Sequence, residues 1–344
     1  MEGETNKRLA TLVGCNYVGT RYELRGCIND VDAVRAALVA RFGFAPADVA
    51  VLTDGRGAEV LPTGANIRRA LAEMVARAAP GDVLFFHYSG HGTLVPPRHG
   101  DGGAEEEAIV PTDFNLITDV DFRQLVDRVP PGASFTIVSD SCHSGGLIDL
   151  EKEQIGPSVG SGPGAPPTAT ARTARFLPYG VLLDHLSAVS GMPSSHHVAD
   201  HLVALFGADA SAKFHVHGGS GNGSTLSTTP APAPTPPRPD EGILLSGCQT
   251  NETSADVPAY EASGGKACGA FSSAVQSVLA AHPAPLSNRE LVEKARAVLE
   301  EQGFEQHPCL YCTDANAEAP FLSQDKKEET AVGAASPAMS TALL

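Results

Sequence analysis

Two short segments of this chain combine cysteine, histidine and glycine in a way that suits covalent catalysis. The first holds His91 between Gly90 and Gly92, and the second holds Cys142 between Ser141 and a His-Ser-Gly-Gly run. A thiol with the ordinary pKa of ~8.5 is mostly protonated at neutral pH, so a nucleophilic cysteine needs a base nearby. His91 precedes Cys142 by roughly 50 residues, a spacing known among cysteine proteases. The two segments therefore predict a dyad in which His91 is the base and Cys142 is the nucleophile.

The residues around this dyad predict an oxyanion hole and leave two competitors for the base. Glycine permits a tight backbone that aims N–H groups at a developing oxyanion, and we assign that role to the N–H groups of Gly92 and Cys142. His87 lies on the same predicted strand as His91, which favours a structural role. His143 directly follows the cysteine, and we expect its side chain to point away.

The other cysteines favour structural positions. The chain has seven cysteines, an odd and scattered set that fits reduced thiols better than a disulfide framework. Cys15, Cys248 and Cys268 are interpreted as inert core residues. The pair Cys309 and Cys312 has the spacing of half a zinc or redox motif, but no second cysteine pair accompanies it, so core packing is favoured.

Both dyad segments follow short apolar runs that are typical of buried strands. Residues 83–86 precede His91, and residues 135–138 precede Cys142. Continuous apolar runs are typical of parallel strands inside an α/β sheet, where the loops beyond the carboxyl ends carry function. Strands and helices alternate along the chain, which predicts a mainly parallel sheet covered by helices. The other predicted strands are 9–15, 49–52, 242–248 and 308–313, and the predicted helices are 30–42, 65–78, 121–126, 269–280 and 287–301.

Two of these helices carry recognisable start signals. Asn29 is the expected N-cap of the helix that begins at Asp30. Ser287 and Glu290 have the spacing of a capping box.

Composition and charge exclude several classes of protein. The 344 residues are 42% hydrophobic and 19% charged, which suits a sizeable folded core. The net charge of −16 argues against nucleic acid or an anionic membrane as the main partner and permits cationic or metal ligands. The polar amino terminus has no apolar core for a signal peptide, and no run of about 18 apolar residues exists for a membrane span. We therefore expect a cytoplasmic protein, with the nucleus as an alternative location.

The composition divides the chain into four parts. Residues 1–156 form a large segment with the dyad, and residues 242–322 resume and complete the core. Residues 157–241 between them are rich in glycine, proline and serine, which predicts a linker, with a small helical insert at 176–206. The tail from 323 to 344 is expected to be disordered.

At this point the residues resemble a known family. Its motifs are Tyr-Ser-Gly-His-Gly at 88–92, Asp-Ser-Cys-His-Ser-Gly at 140–145, Leu-Arg-Gly-Cys-Ile-Asn-Asp at 24–30 and Ser-Gly-Cys-Gln-Thr at 246–250. These segments resemble a metacaspase, and the long linker, with the runs at 115–119 and 145–149, is similar to the plant-type (type II) subgroup. The likeness covers about 8–156 and 242–322. It implies an α/β fold, a caspase-like sandwich of a mainly parallel central sheet flanked by helices.

The resemblance also implies a cysteine endopeptidase that cleaves after Arg or Lys. A pocket for a cationic side chain needs carboxylates near the nucleophile, and Asp140 and Asp30 could supply them. In the family the corresponding positions form this pocket, with Cys27 and Ser89 beside them. The substrates implied are polypeptides with Arg or Lys before the scissile bond, and we expect a monomer.

Calcium is the activator that the resemblance implies. Ca²⁺ takes six to eight oxygen ligands. The positions that match the family's ligands are Glu106, Asp119, Asp121 and Asp149, with Glu107 nearby. Two positions depart from the family's pattern and are expected to weaken binding: Val120 stands where a middle Asp is common, and Glu106 where Asp is usual. A solvated acidic loop is the alternative interpretation.

The resemblance further implies a zymogen whose linker blocks the site until it is cut. A basic residue in the linker would be the self-cleavage site, and the candidates are Lys213 and Arg238, followed by Arg172 and Arg175. Two other functions stay open. One is a cysteine protease of different specificity, such as a legumain-like enzyme that cuts after Asn, and the other is a non-catalytic scaffold on a caspase-like fold.

Overall fold

A seven-stranded, mainly parallel sheet forms the centre of the molecule. The computed structural model describes residues 6–97, 105–142, 145–148, 152–156, 173–215, 242–249, 252–260 and 265–322. The strands of the central sheet, in order across it, are β2 (Val49–Thr53), β1 (Arg8–Gly14), β3 (Val83–Ser89), β7 (Ser134–Asp140), β10 (Gly242–Ser246), β13 (Cys309–Tyr311) and β8 (Glu153–Ile155). The pairs from β2 to β10 are parallel, and β13 and β8 add two antiparallel pairs at one edge. The predicted mainly parallel α/β architecture is confirmed.

Nine helices occur in the described part of the chain, together with two small antiparallel sheets. The helices are α1 (Cys27–Arg41), α2 (Gly64–Ala76), α3 (Asp119–Val126), α4 (Tyr179–Ser190), α5 (Val198–Phe206), α6 (Ala212–His215), α7 (Ala270–Ala281), α8 (Asn288–Glu301) and α9 (Asp314–Glu318). One small sheet contains β4 (Gly92–Val95), β5 (Glu106–Ile109) and β6 (Ile117–Thr118), and the other contains β9 (Thr173–Ala174), β11 (Ala255–Val257) and β12 (Cys268–Gly269). None of the described helices is long and apolar enough to cross a bilayer.

Alternating side chains of the strands bury two separate apolar clusters, one on each face of the sheet. On β3, Leu84 and Phe86 pack on the face that α2, α3, α4 and α5 cover, whereas Val83 and Phe85 pack on the face that α1, α7 and α8 cover. Successive side chains of a strand point to opposite faces, and a strand that is apolar at every position is therefore covered on both sides. The result is a three-layer sandwich.

The segments before and after the predicted linker meet in this sheet. β7 belongs to the segment before the linker and β10 to the segment after it, and the two strands pair in parallel from Phe135 with Gly242 to Ser139 with Ser246. The described parts of residues 1–156 and 242–322 thus share one core. Between them, α4 and α5 lie where the sequence predicts a helical insert. The buried side chain of Leu182 packs this insert against the α2 face of the sandwich.

The start of α1 differs from its prediction, whereas the start of α8 agrees. Ser287 Oγ accepts from Glu290 N and Ser287 N donates to the Glu290 carboxylate, as the capping box predicts. Asn29 as N-cap of α1 was wrong, because the helix begins at Cys27. The carboxylate of Asp256 accepts from the N–H groups just before that start, and a partner so distant in sequence replaces a local cap.

The predicted linker is described only in part. Residues 157–172 and 216–241 lie outside the described residues, and so does the tail 323–344. Thr173 and Ala174, which the sequence assigns to the linker, form β9 and pair with β11. The core therefore holds part of this segment in an extended conformation.

Candidate active site

The parallel pairing of β3 and β7 brings the two predicted dyad loops together. Ser89 at the end of β3 is in register with Asp140 at the end of β7, so His91 and Cys142 follow at the same edge of the sheet. The loops touch so closely that a Cβ on Gly92 would collide with the carbonyl oxygen of Cys142. Glycine is needed here because any side chain would separate the two loops.

His91 is held in the tautomer that a general base requires. Its Nε2 lies 2.9 Å from the carbonyl oxygen of Tyr22, which can only accept, so Nε2 carries the proton. Nδ1 is buried and makes no hydrogen bond within the described residues, so its lone pair is available. Burial lowers the pKa of His91 to about 4, although the Tyr22 carbonyl opposes this shift. The ring is therefore neutral at neutral pH.

The Cys142 thiol is buried against Ser254, the residue that directly precedes β11. Ser254 N donates to Cys142 Sγ at 3.0 Å, and Sγ lies 3.7 Å from Ser254 O. Ser254 thus contacts the predicted nucleophile through its backbone, and sequence reasoning missed it.

The backbone of Arg175 lies across both loops. Its carbonyl oxygen accepts from Gly92 N at 3.0 Å and from Cys142 N at 3.3 Å, the two donors that the sequence predicts for an oxyanion hole. Arg175 N donates to Ser254 O at 2.8 Å, and Leu177 N donates to Gly92 O at 2.9 Å. Residues 173–177 therefore pass through the site in an extended conformation, like a peptide bound between two strands.

The side chain of Arg175 fills a closed pocket. Its Nη2 lies 2.8 Å from Asp30 Oδ2 and 3.0 Å from Asp256 Oδ1. Its Nη1 donates to Ser89 Oγ at 2.8 Å and lies 3.3 Å from Asp140 Oδ2. We call these four residues the guanidinium pocket. Three of them, Asp30, Ser89 and Asp140, are predicted from the sequence, and all are buried with the arginine.

Backbone N–H groups orient the three carboxylates of the guanidinium pocket. Asp30 accepts from Gly269 N, and Asp140 accepts from Ser272 N in the first turn of α7. Asp256 accepts from the N–H groups of residues 25 and 26. Hydrogen bonds to charged groups and a helix N-terminus stabilise carboxylates that are out of contact with water. These contacts hold the three carboxylates in place around the guanidinium.

The charges in the guanidinium pocket perturb one another. Burial raises the pKa of Asp30 to about 6, and the Arg175 guanidinium limits this rise. Burial opposes the charged form of Arg175, but the three carboxylates outweigh it and raise the pKa of this arginine well above its ordinary value. Burial also raises the pKa of Cys27, which is predicted to line the pocket, so that its thiol is neutral.

Gly269 closes one wall of the guanidinium pocket. A Cβ at this position would lie 2.7 Å from Arg175 Cζ and nearer still to Asp140 Oδ2. The sequence signal for Gly269 and Asp256 is weak, since each is a single residue in a short strand with no neighbouring motif. Only the tertiary structure brings them beside Asp30 and Asp140.

The acidic residues predicted to bind calcium face a lysine. Lys213 Nζ lies 2.7 Å from Asp119 Oδ1 and 3.1 Å from Glu106 Oε1. Asp121 accepts from Thr118 N at the start of α3. The fourth position, Asp149, lies outside the described residues. Over the ranges that the structure describes, no three His, Cys, Asp or Glu residues form a group able to hold a metal ion.

The remaining sequence candidates either have other contacts or lie outside the described residues. His87 is buried, its Nε2 lies 3.3 Å from Ser272 Oγ, and burial lowers its pKa to about 4. Cys309 and Cys312 are buried, and no disulfide joins them. His143, Arg172 and Arg238 lie outside the described residues.

Comparisons with known proteins agree with this arrangement. The family model described as Caspase domain (Peptidase_C14) matches residues 7–319. Metacaspase-9 of Arabidopsis thaliana is 52% identical over 329 residues, which cover 94% of this chain and 99% of that protein. Metacaspase-6 of the same plant is 39% identical over 366 residues, 91% of this chain and 99% of that protein.

A solved structure shows the same fold at lower identity. The crystal structure of protein GSU0716 from Geobacter sulfurreducens has a TM-score of 0.56 and 20% identity, and it covers 91% of this chain and 97% of its own. The family match spans the dyad, the guanidinium pocket and both halves of the central sheet. The chain therefore belongs to the caspase-domain family and, within it, to the plant metacaspases, which are cysteine-type peptidases.

Proposed function

We propose that this peptidase cleaves polypeptides after Arg, and also after Lys, with Cys142 as nucleophile and His91 as general base. One observation carries the proposal: the Arg175 side chain is bound by three carboxylates while its carbonyl oxygen accepts from Gly92 N and Cys142 N. Binding the side chain fixes the position of the carbonyl, so the bond that is cut is the one that follows the arginine in the pocket.

The geometry supports a two-step acyl transfer. His91 Nδ1 accepts the proton of the Cys142 thiol, and Sγ attacks the carbonyl carbon of the bound arginine. The two N–H groups stabilise the oxyanion that forms, and the imidazolium returns its proton to the leaving amine. Water then hydrolyses the thioester, again with His91 as base. The Nδ1 lone pair is available for this proton, and both donors already point at one oxygen.

A three-carboxylate pocket favours a cation over a neutral side chain. An asparagine substrate would leave Asp30, Asp140 and Asp256 buried without a counter-charge, and an unpaired buried charge is strongly unfavourable. The legumain-like alternative therefore has no support from this pocket. The scaffold alternative would not require the aligned oxyanion donors.

We also propose that the chain is a zymogen whose first self-cleavage site is the Arg175–Phe176 bond. Arg175 was the last of the four sequence candidates, and it is the one seated in the guanidinium pocket. Lys213, ranked first with Arg238, instead pairs with Glu106 and Asp119. While residues 173–177 fill the site, a substrate cannot enter.

We also propose activation by calcium, but the described side chains do not form a site for the ion in their present positions. The ammonium of Lys213 lies between Glu106 and Asp119, where a cation bound by those two carboxylates would have to lie. A calcium site built on them requires that Lys213 move away first.

Purified chain and its Cys142→Ala variant test the proposal. We expect the parent to yield a fragment that begins at Phe176 and to hydrolyse peptides with Arg or Lys before the scissile bond, and the variant to do neither. Edman sequencing or fragment mass identifies the new terminus. A Lys213→Met variant is the matched control, because it removes another basic candidate and should still be cut at Arg175. Retention of activity by Cys142→Ala, or a preference for Asn peptides, would refute the assignment.

A further inference from the structure

The carboxyl side of the Arg175–Phe176 bond stays anchored after the bond is cut. The guanidinium contacts do not involve the scissile amide, and neither does the hydrogen bond from Arg175 N to Ser254 O. Ala174 and Thr173 remain paired with Ala255 and Asp256 of β11. Residues 157–172 join this end to β8 of the central sheet, so the new carboxyl terminus cannot diffuse away.

The amine side of the bond is anchored as well. Leu177 N donates to Gly92 O at 2.9 Å, and Thr93 Oγ1 donates to Leu177 O at 2.8 Å. Leu177 is buried in the core on the α2 face of the sheet, together with Leu182 of α4. The ion pairs of Lys213 with the α3 and β5 carboxylates fix the end of the insert. The Phe176 amine, one residue before Leu177, is therefore held beside the acyl group from which it departs.

We propose that the enzyme re-forms the bond it cuts, so that self-cleavage at Arg175–Phe176 is a reversible ligation equilibrium within one folded chain. This inference rests on the proposed function and deepens it. Reactants held in place reach effective molarities of about 10⁵ M or more in favourable cases, far above the concentration of water. The docked amine therefore competes with water for the thioester.

The ligation step balances without any co-reactant. The Phe176 nitrogen attacks the carbonyl carbon of the Arg175 thioester, a C–N bond forms and the C–S bond breaks. The amine proton passes through His91 Nδ1 to the departing Cys142 sulfur, which regains its thiol. From the hydrolysed chain, Cys142 Sγ first attacks the protonated Arg175 carboxyl group and expels water, which restores the same thioester.

Reversibility has a regulatory consequence. A single cut leaves the Arg175 carboxylate in the site, where the guanidinium pocket still binds its side chain. Substrate peptides compete with a tethered product whose effective concentration is in the millimolar range by order of magnitude. Release of the site then needs a second event, such as another cut in the linker or loss of the Lys213 ion pairs.

Oxygen-18 water tests the proposal on the full-length chain. Chain incubated in this water is separated into cut and uncut protein, and the uncut protein is digested with a glutamate-specific protease. The peptide from 154 to the next acidic residue, Asp184, or beyond spans the bond, because no Asp or Glu occurs between Glu153 and Asp184. We expect this peptide to gain one heavy oxygen progressively, since only hydrolysis followed by ligation places label in the Arg175 carbonyl.

Thr93→Val and Cys142→Ala are the matched variants. Thr93→Val keeps the side-chain shape but removes the hydrogen bond to Leu177 O, and one such bond corresponds to about a fivefold change in the docked population. We expect the rate of labelling of uncut chain to fall about fivefold while the first cut still occurs at Arg175. Cys142→Ala should show neither cut nor label.

The outcomes separate the two levels of the proposal. A cut at Arg175–Phe176 with no label in the uncut chain overturns reversibility and leaves the proposed function intact. No cut at this bond, together with no hydrolysis of arginine peptides, overturns both. Label that is unchanged in Thr93→Val would show that docking of the amine side does not drive ligation, which also overturns the inference.

Discussion

A methyl group on Gly269 should block the guanidinium pocket. The backbone there has φ −76° and ψ 141°, which alanine adopts without strain, so the effect of Gly269→Ala is steric. The new Cβ would lie 2.7 Å from Arg175 Cζ and closer to Asp140 Oδ2, and carbon atoms pack at about 3.5–4.0 Å. Asp140 cannot retreat, because Ser272 N and Ser254 Oγ hold its carboxylate. The guanidinium must therefore shift.

The size of the loss follows from the contacts that such a shift breaks. The guanidinium has close contacts with Asp30, Asp256, Ser89 and Asp140, at 2.8, 3.0, 2.8 and 3.3 Å. A hydrogen bond to a charged group contributes about 1.5–3 kcal/mol, so the loss of two costs about 3–6 kcal/mol. This corresponds to a fall of about 10²–10⁴-fold in kcat/KM for peptides cut after Arg.

The assay compares fluorogenic peptides that differ only in Arg or Lys before the scissile bond. A lysine side chain ends near the position of the guanidinium carbon and lacks the two terminal nitrogens, so its kcat/KM should fall less. Gly180→Ala is the matched control, because nothing lies within 4 Å of a Cβ at that exposed position. Thermal unfolding confirms that both variants fold. A folded Gly269→Ala protein that cleaves arginine peptides within a few-fold of the parent would refute the pocket.

Three further changes test the charges of the site. Asp256→Asn removes one of the two carboxylates on Nη2 and should lower kcat/KM for arginine peptides about 10- to 100-fold; an unchanged value would mean that Asp256 is only structural. Arg175→Gln removes the cation that limits the pKa of Asp30. The folded-state pKa of Asp30 is already about 6, above the ordinary 3.8, so the contribution of Asp30 to stability is lost as pH rises through this range. The free energy of unfolding, measured by urea titration, should therefore fall more between pH 4 and pH 7 in the variant than in the parent. Lys213→Met removes the ammonium that lies between Glu106 and Asp119, so calorimetry should detect tighter Ca²⁺ binding than in the parent; equal binding would show that Lys213 does not occupy the cation's place.

Elements made of local apolar patterns could be predicted from the sequence. The continuous apolar runs of β3 and β7 place two polar loops at one edge of a parallel sheet, which is enough to predict the dyad and Asp140. The motif around Asp30 adds a second carboxylate through a family resemblance. These features need only the period of the side chains and the rule that function lies beyond the carboxyl ends of strands.

Features made by contacts between distant segments could not be predicted. β9 has two exposed residues and a composition typical of a linker, and it becomes a strand only because β11 pairs with it. Asp256 is one acid in a short strand, and its partners are Arg175 and the start of α1. The same long-range contact explains why the local cap signal at Asn29 gave the wrong helix start.

The segment at 173–177 is a template for an inhibitor of this enzyme. The side chains of Thr173 and Ala174 are exposed, whereas Arg175 and Leu177 are buried, so recognition rests on the main chain, the guanidinium and one apolar anchor. A Thr-Ala-Arg peptide that ends in an aldehyde would place its electrophilic carbon at the sulfur and its oxygen between the two N–H donors. Changes at the first two positions should alter its affinity little, which leaves them available for a fluorophore or a solid support.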